Sequence, residues 1–211
     1  MKTILKNVYP ELELDTNIAI IGSSANLLEH ELGGHIDGFA EVIRFNRAPT
    51  QNFEKYVGSK TTLRVTNNHV FNNTPHTVEL ADDNMTWKAE GQPTNFILNQ
   101  RNQRIMLLNR DSAPWEEKDK QIDESCEAFL GDYAKIDGYD GLCKPSAGLA
   151  FLILCLQNNI KPTLFGFGIE EAEHQASHYW EEKGEILVSH SYKGERQRLK
   201  KWTTEGLLVI K

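Results

Sequence analysis

Cysteine, positive charge and long apolar runs are all scarce in this 211-residue chain. The three cysteines, Cys126, Cys143 and Cys155, are odd in number and lack CxxC spacing. That excludes a disulfide framework and a Cys-based zinc site, and leaves buried or idle thiols. Lys and Arg number 23 against 30 acidic residues, for a formal net charge of -7, which disfavours broad capture of nucleic acid or of an anionic membrane. The N-terminal stretch "MKTILKNVYPELELD" has no apolar run of the length that a signal peptide or membrane anchor requires, so a cytoplasmic protein without an integral membrane segment is expected. The sequons at Asn72 and Asn84 carry no weight without secretion. Gly, Pro and Ser nowhere collect into a linker and no repeat is visible, so one domain over 1–211 is expected. A GxGxxG fingerprint and a Walker A loop are also missing, which leaves a dinucleotide oxidoreductase or a P-loop enzyme with little support.

What is present is the material of an ordinary globular core, with 39% hydrophobic and 25% charged residues. Short apolar runs with polar ends recur at 17–22, 41–46, 61–68, 94–100, 104–110, 162–168, 185–190 and 207–211. Several are too continuously apolar for one-sided strands, which predicts a sheet covered on both faces. The stretch 146–159, "SAGLAFLILCLQNN", is apolar nearly all round and follows Pro145 with a Ser cap, the pattern of a buried helix. A second helix is predicted over 191–206, with Leu199 and Trp202 on one face and Gly206 as its C-cap. Alternation of strand and helix implies an α/β fold with a mainly parallel sheet flanked by helices. Residues 70–92 and 112–129 fit that scheme poorly and read as excursions or lids.

The predicted strands end in asparagine, at Asn46, at Asn67 or Asn68, at Asn99 and at Asn109. In open α/β sheets the ligand crevice lies at these carboxyl ends, although Asn is also simply a good turn residue. After the first long strand comes "GSSANLLEH" (22–30), where Gly22 permits a tight turn and Ser23, Ser24 and Asn26 can cap a helix or bind a ligand. Near the other end, "SHYWEEKGEILVSHSYKGE" (177–195) holds His178 and His190 among carboxylates. As zinc ligands they need a further group, and His174 is the nearest. "HQASH" lacks the Glu of HExxH, so a metal site is not expected.

Four blocks then carry a resemblance. "IAIIGSSANLLEHELGGHIDGFAEVIRFNRAPTQNFEKYVGSKTT" (18–62) resembles the long motif of the animal-type sialyltransferases, glycosyltransferase family 29. "KPSAGLAFLILCLQNNIKPTLFGFG" (144–168) is similar to their short motif, "HYWE" (178–181) to the third motif, and "HSYKGE" (190–195) to the very short motif of a His followed five positions later by Glu. The resemblance leaves 69–143 without a counterpart, a variable region suited to the acceptor side or a lid.

The resemblance implies a variant GT-A fold, a Rossmann-like sheet between helices. It also implies inverting, metal-independent transfer of sialic acid from CMP-sialic acid to a glycan or glycolipid hydroxyl, without a cofactor. It makes His190 the general base and puts His178 on the leaving phosphate. Glu195 is grouped with them, orienting the loop or the base. Gly22, Ser23, Ser24, Asn26, Asn46, Ser146, Ala147, Gly148, Phe167 and Gly168 fall on the donor side, around CMP. Asp37, Arg44 and Lys60 are expected to support the fold through buried charge pairing. The departures are specific: Ile18 and Asn159 stand where the family usually has a cysteine pair, Ser23 replaces Asn, Ala147 replaces Thr, and Lys144 replaces an aromatic. They point to a bacterial or viral member and leave the donor sugar open between sialic acid and another CMP-activated ulosonic acid such as Kdo. A CMP-binding module without turnover is the alternative.

Overall fold

The computed structural model describes residues 1–67, 104–109, 127–132, 145–168, 178–180 and 192–211. The central element is β4 (Ile18–Ile21), with every residue buried. On one side of it lie β9 (Thr163–Phe165) and β10 (Val209–Ile210). On the other lie β5 (Glu41–Phe45), β6 (Leu63–Asn67), β7 (Arg104–Asn109) and β8 (Glu127–Asp132). The sheet order is β10-β9-β4-β5-β6-β7-β8-β2, parallel at each pairing from β10 to β8, and β2 (Val8–Tyr9) closes the edge antiparallel. A separate hairpin pairs β1 (Lys2–Ile4) with β3 (Glu13–Asp15).

The mixed α/β fold and the largely parallel sheet agree with the apolar-run pattern. Strands β4 to β7, β9 and β10 all fall within predicted runs. The runs at 94–100 and 185–190 lie outside the described residues, as do most of 70–92 and 112–129. Two elements depart from the reading. Strand β8 enters the sheet from Glu127, at the tail of the stretch read as an acidic excursion. The N-terminal segment, which holds none of the predicted runs, supplies β1 to β3 and buries Leu5, Leu12 and Leu14.

Alternation along the strands sorts the core into two layers. Ile18, Ile20, Ile43, Leu63 and Val65 face α3 (Ala147–Gln157), α4 (Tyr192–Thr204) and the N-terminal hairpin. Ala19, Ile21 and Val42 face a short 3-10 turn (Ala25–Glu29), α1 (Gly33–Asp37) and α2 (Glu54–Val57). Helix α3 is buried nearly all round, as its composition predicts. Its Leu149, Phe151, Leu152 and Leu154 are each at most 2% exposed, and such burial contributes about 1.5–3 kcal/mol per side chain. Helix α4 turns Leu199 and Trp202 inward. It stops where Gly206 takes φ 72° and Leu207 N–H donates to the Trp202 carbonyl at 2.9 Å. Cys155 is buried in α3, and burial pushes its thiol well above the ordinary range. Cys126 and Cys143 lie outside the described residues. No described helix is long and apolar enough to cross a membrane.

Candidate functional site

The site is built where β4, β5 and β9 end. Gly22 N–H donates to the Phe165 carbonyl at 2.7 Å, and Ser24 N–H to the Gly166 carbonyl at 3.0 Å. A Cβ on Gly22 would stand 2.2 Å from the Gly166 oxygen and 3.1 Å from Phe167 Cδ2. The loop after β4 therefore crosses the end of β9 at a distance only glycine allows. Gly166 is fixed in turn, with φ 68° and room for no Cβ beside Leu27. On its other side the Phe167 ring lies against Gly148, whose Cβ would be 3.3 Å from Phe167 Cε1. One aromatic ring thus joins Gly22 to the start of α3. Gly168 has φ 54° and continues the turn. Ser24 caps the helical turn, its Oγ accepting from Asn26 N–H at 3.2 Å. That turn is a 3-10 helix of five residues, shorter than the helix expected after Ser24.

The segment 178–180 lies on this loop. Ser24 and His178 form an antiparallel bridge, and Tyr179 N–H donates to the Ser23 carbonyl at 2.9 Å. The half-buried His178 ring stacks on Trp180, with centroids 4.5 Å apart and planes 7° from parallel. Tyr179 points the other way, 3% exposed, with its ring edge-on to Phe53 at 5.1 Å. Its hydroxyl donates to the carbonyl of Pro49. Burial pushes the Tyr179 phenol up to about 12, against the pull of Arg44 and Arg64, so it stays a donor at neutral pH.

Asn46 follows β5 with φ 45°, a left-handed turn that Asn tolerates better than most residues. Its N–H donates to the Val65 carbonyl at 2.9 Å. Its own carbonyl accepts from Arg64 Nη1 at 2.9 Å, and the same nitrogen reaches the Ala48 carbonyl at 3.1 Å. Arg44 and Arg64 are register partners on β5 and β6, both essentially unexposed. Burial pushes each guanidinium down to about 10, which leaves both cationic at neutral pH.

Charge pairing was expected around Asp37, Arg44 and Lys60; Asp37 and Arg44 do act on each other electrostatically, but the hydrogen bonds of the three go mainly to backbone groups. Arg44 donates to the carbonyls of Val57 at 2.6 Å, Gly58 at 3.2 Å and Lys60 at 3.1 Å. Asp37 accepts from the N–H groups of Ser59 and Lys60 at 2.9 Å each, and Lys60 Nζ donates to the Phe39 carbonyl. The physical reason is that the end of α2 and the loop before β6 turn peptide groups toward Arg44 and Asp37, which satisfy them, while Lys60 serves the Phe39 carbonyl.

Ser146 caps α3, its Oγ accepting from Leu149 N–H at 3.2 Å. Glu195, in the first turn of α4, receives Ser146 N–H on Oε1 at 2.8 Å and Ser146 Oγ–H on Oε2 at 2.7 Å. Of the two roles open to Glu195, these contacts are those of orienting a loop. The clamp ties the start of α4 to the start of α3, where a carboxylate also meets favourable dipole ends. Ala147 is buried beside it. His190 and His174 lie outside the described residues. So Ser24 meets His178 directly and Ser23 meets its neighbour Tyr179. Asn26 joins through Ser24, Gly22, Phe167 and Gly148 pack together behind the same loop, with Gly168 following Phe167, and Asn46 is reached through Tyr179 and the Pro49 carbonyl. Ser146 and Glu195 form a second contact set at the α3 start. Among the described residues no cluster of His, Cys, Asp and Glu could hold a metal ion.

Tyr179, Arg64 and Pro49 were not singled out from the sequence. The signals were there: a tyrosine inside "HYWE", and an arginine inside the apolar run "TTLRV".

Comparison with known proteins agrees with this geometry. Residues 14–110 match the family described as glycosyltransferase family 29 (sialyltransferase). A beta-galactoside alpha-2,6-sialyltransferase 2 of Xenopus tropicalis is 41% identical over 75 residues, 36% of this chain and 14% of that protein. The Homo sapiens protein of the same name is 43% identical over 58 residues, 28% of this chain and 11% of its own. The matched stretches are thus a small part of these relatives' length. A crystal structure of a mammalian sialyltransferase superposes with a TM-score of 0.60 at 21% identity, covering 92% of this chain and 68% of that one. A further structure of a mammalian sialyltransferase, in complex with Gal-beta-1-3GalNAc-ortho-nitrophenol, superposes equally well. Residues 14–110 thus resemble glycosyltransferase family 29 sequence, and the fold is shared with a mammalian sialyltransferase.

Proposed function

We propose that the protein is an inverting glycosyltransferase of variant GT-A type that moves an ulosonic acid, sialic acid or a relative such as Kdo, from its CMP-activated form to a glycan hydroxyl. The observation that carries this reading is the convergence of the "GSSAN" loop, the "HYW" segment and the start of α3 at the carboxyl ends of parallel strands. Sialyltransferase relatives and a fold neighbour that is a sialyltransferase support a glycosyltransferase. The buried Asn26 Oδ1 finds no donor among the described residues, which supports a nucleotide N–H group there.

In this reading His190 takes the proton of the acceptor hydroxyl as its oxygen attacks the anomeric carbon. The bond from that carbon to the phosphate oxygen breaks, and CMP leaves with the electron pair. His178 donates a hydrogen bond to the phosphate as charge develops there, while Trp180 holds its ring. No metal is needed, because both charge tasks fall to imidazoles. Glu195 acts through Ser146, and 69–143 supplies the acceptor side. The lack of cysteine at Ile18 and Asn159 supports a reducing, cytoplasmic setting, in a bacterial or a virus-infected cell.

The test is CMP release from CMP-sialic acid and from CMP-Kdo, with and without candidate glycans. Saturable, acceptor-dependent release with one sugar is expected. His190→Ala should lower it about 10²–10⁴-fold with CMP binding retained. CMP binding without release from any donor would instead identify a nucleotide-binding module.

A further inference from the structure

Two strand-end loops form the donor side of the proposed site, and one residue is bonded to both. The backbone N–H of Tyr179 is held by Ser23, on the loop after β4, at 2.9 Å. Its hydroxyl is held by Pro49, on the loop after β5, across 130 residues of sequence. The loop after β5 is also gripped from within the sheet, where Arg64 Nη1 binds the carbonyls of Asn46 and Ala48. His178 is the immediate neighbour of Tyr179 and bridges to Ser24.

We propose that Tyr179 is a positioning residue whose hydroxyl staples the loop 46–49 to the loop 22–24, with Arg64 seating the same loop from beneath, so that Asn46 and His178 are held in one register. The inference rests on the reading of these loops as the donor site. A purely packing role would need only the ring, which Phe53 and Trp180 contact. The hydroxyl adds a polar group to a buried layer, which is destabilising unless it is bonded. Among the described residues it bonds to the loop that carries Asn46.

Tyr179→Phe keeps the ring and deletes the staple. Asn46→Gly deletes the amide side chain and keeps φ 45° accessible. CMP affinity, measured by calorimetry on the full chain, should fall about tenfold in Tyr179→Phe, the scale of one hydrogen bond. The double variant should bind no more weakly than Asn46→Gly alone, because the staple acts through Asn46. Phe53→Leu serves as the control, lowering the melting temperature with CMP affinity kept. Unchanged affinity in Tyr179→Phe, losses that multiply in the double variant, or a Phe53→Leu variant that loses affinity in step with its stability would each overturn the staple. If Asn46→Gly itself binds CMP like the parent, the donor-site reading falls and takes the staple with it. Loss in Asn46→Gly without loss in Tyr179→Phe removes the staple alone.

Discussion

The two ends of the sheet use charge differently. At the amino ends, Arg104 meets Glu41 at 2.5 Å, and Lys2 meets Glu13 at 2.8 Å. These pairs line an open groove of about 520 Å³ with Glu11 and Thr62. At the carboxyl ends, Arg64 binds two loop carbonyls and Glu195 binds a backbone N–H and the serine hydroxyl beside it. The exposed Lys2–Glu13 pair is worth little and can be remade, whereas Arg104 and Glu41 are largely buried, and Arg104 also donates to the carbonyls of Thr62 and Glu13 at 3.0 Å each. A buried ion bound to peptide groups fixes the path of a loop, because breaking it orphans both partners. The carboxyl-end loops are thus held by ions bound to peptide groups, while the amino end combines such bonds with side-chain ion pairs, one of them exposed. The ligand crevice of an open α/β sheet lies at the carboxyl end.

The strongest way to break this contrast is at Gly22. Gly22→Ala puts a methyl 2.2 Å from the Gly166 oxygen, a backbone atom that cannot swing aside. A loss on the order of 3 kcal/mol is expected from the overpacking, read as a lower denaturant midpoint, and CMP binding should disappear with it. A variant of parental stability would mean that the loop after β4 is free to move. A smaller effect is expected at the opposite end, where both oxygens of the largely buried Glu41 accept hydrogen bonds, from Arg104 and from Asp15 N–H. Glu41→Gln keeps one acceptor and should cost about 1–2 kcal/mol. CMP affinity should not change. A loss of CMP affinity in Glu41→Gln would show that the amino end shapes the site after all.

How far the sequence reveals these two ends depends on how local each signal is. Asn46 was legible because a turn residue ends an apolar run, and Ser146 because a cap precedes a buried helix. Those rules are local, although the contacts the two residues then make are not. The Glu195 clamp on Ser146 spans 49 residues and the Tyr179 bond to Pro49 spans 130. No periodicity encodes such pairs, and only the folded sheet brings their ends together. The partners of Arg44 were misread, and Arg64 was passed over, for a related reason. A charge in an apolar run suggests a buried partner of opposite sign, yet peptide carbonyls serve as well and leave no mark in composition. The hairpin of β1 and β3 was missed because strands of three residues are too short for alternation to show.

Asp37 gives the mildest and cleanest test, since it is a carboxylate that binds peptide N–H groups where Glu41 binds an arginine. Partial burial works to raise its pKa, but the N–H groups of Ser59 and Lys60, the Ser59 hydroxyl and nearby Arg44 outweigh that and hold it below the usual 3.8. A depressed carboxylate adds stability above its unfolded pKa and loses it as pH falls through the folded one. Unfolding followed from pH 6 downward should therefore show a loss of stability below about pH 4 in the parent. Asp37→Asn should be less stable at pH 6 and show a shallower acid limb, because its amide cannot accept the same set of N–H donors with charge. An unchanged acid limb would mean that the ionised Asp37 does not hold the turn between α2 and β6. In that case the turn is held by Arg44 alone, and the loop-shaping role of charge narrows to the arginines.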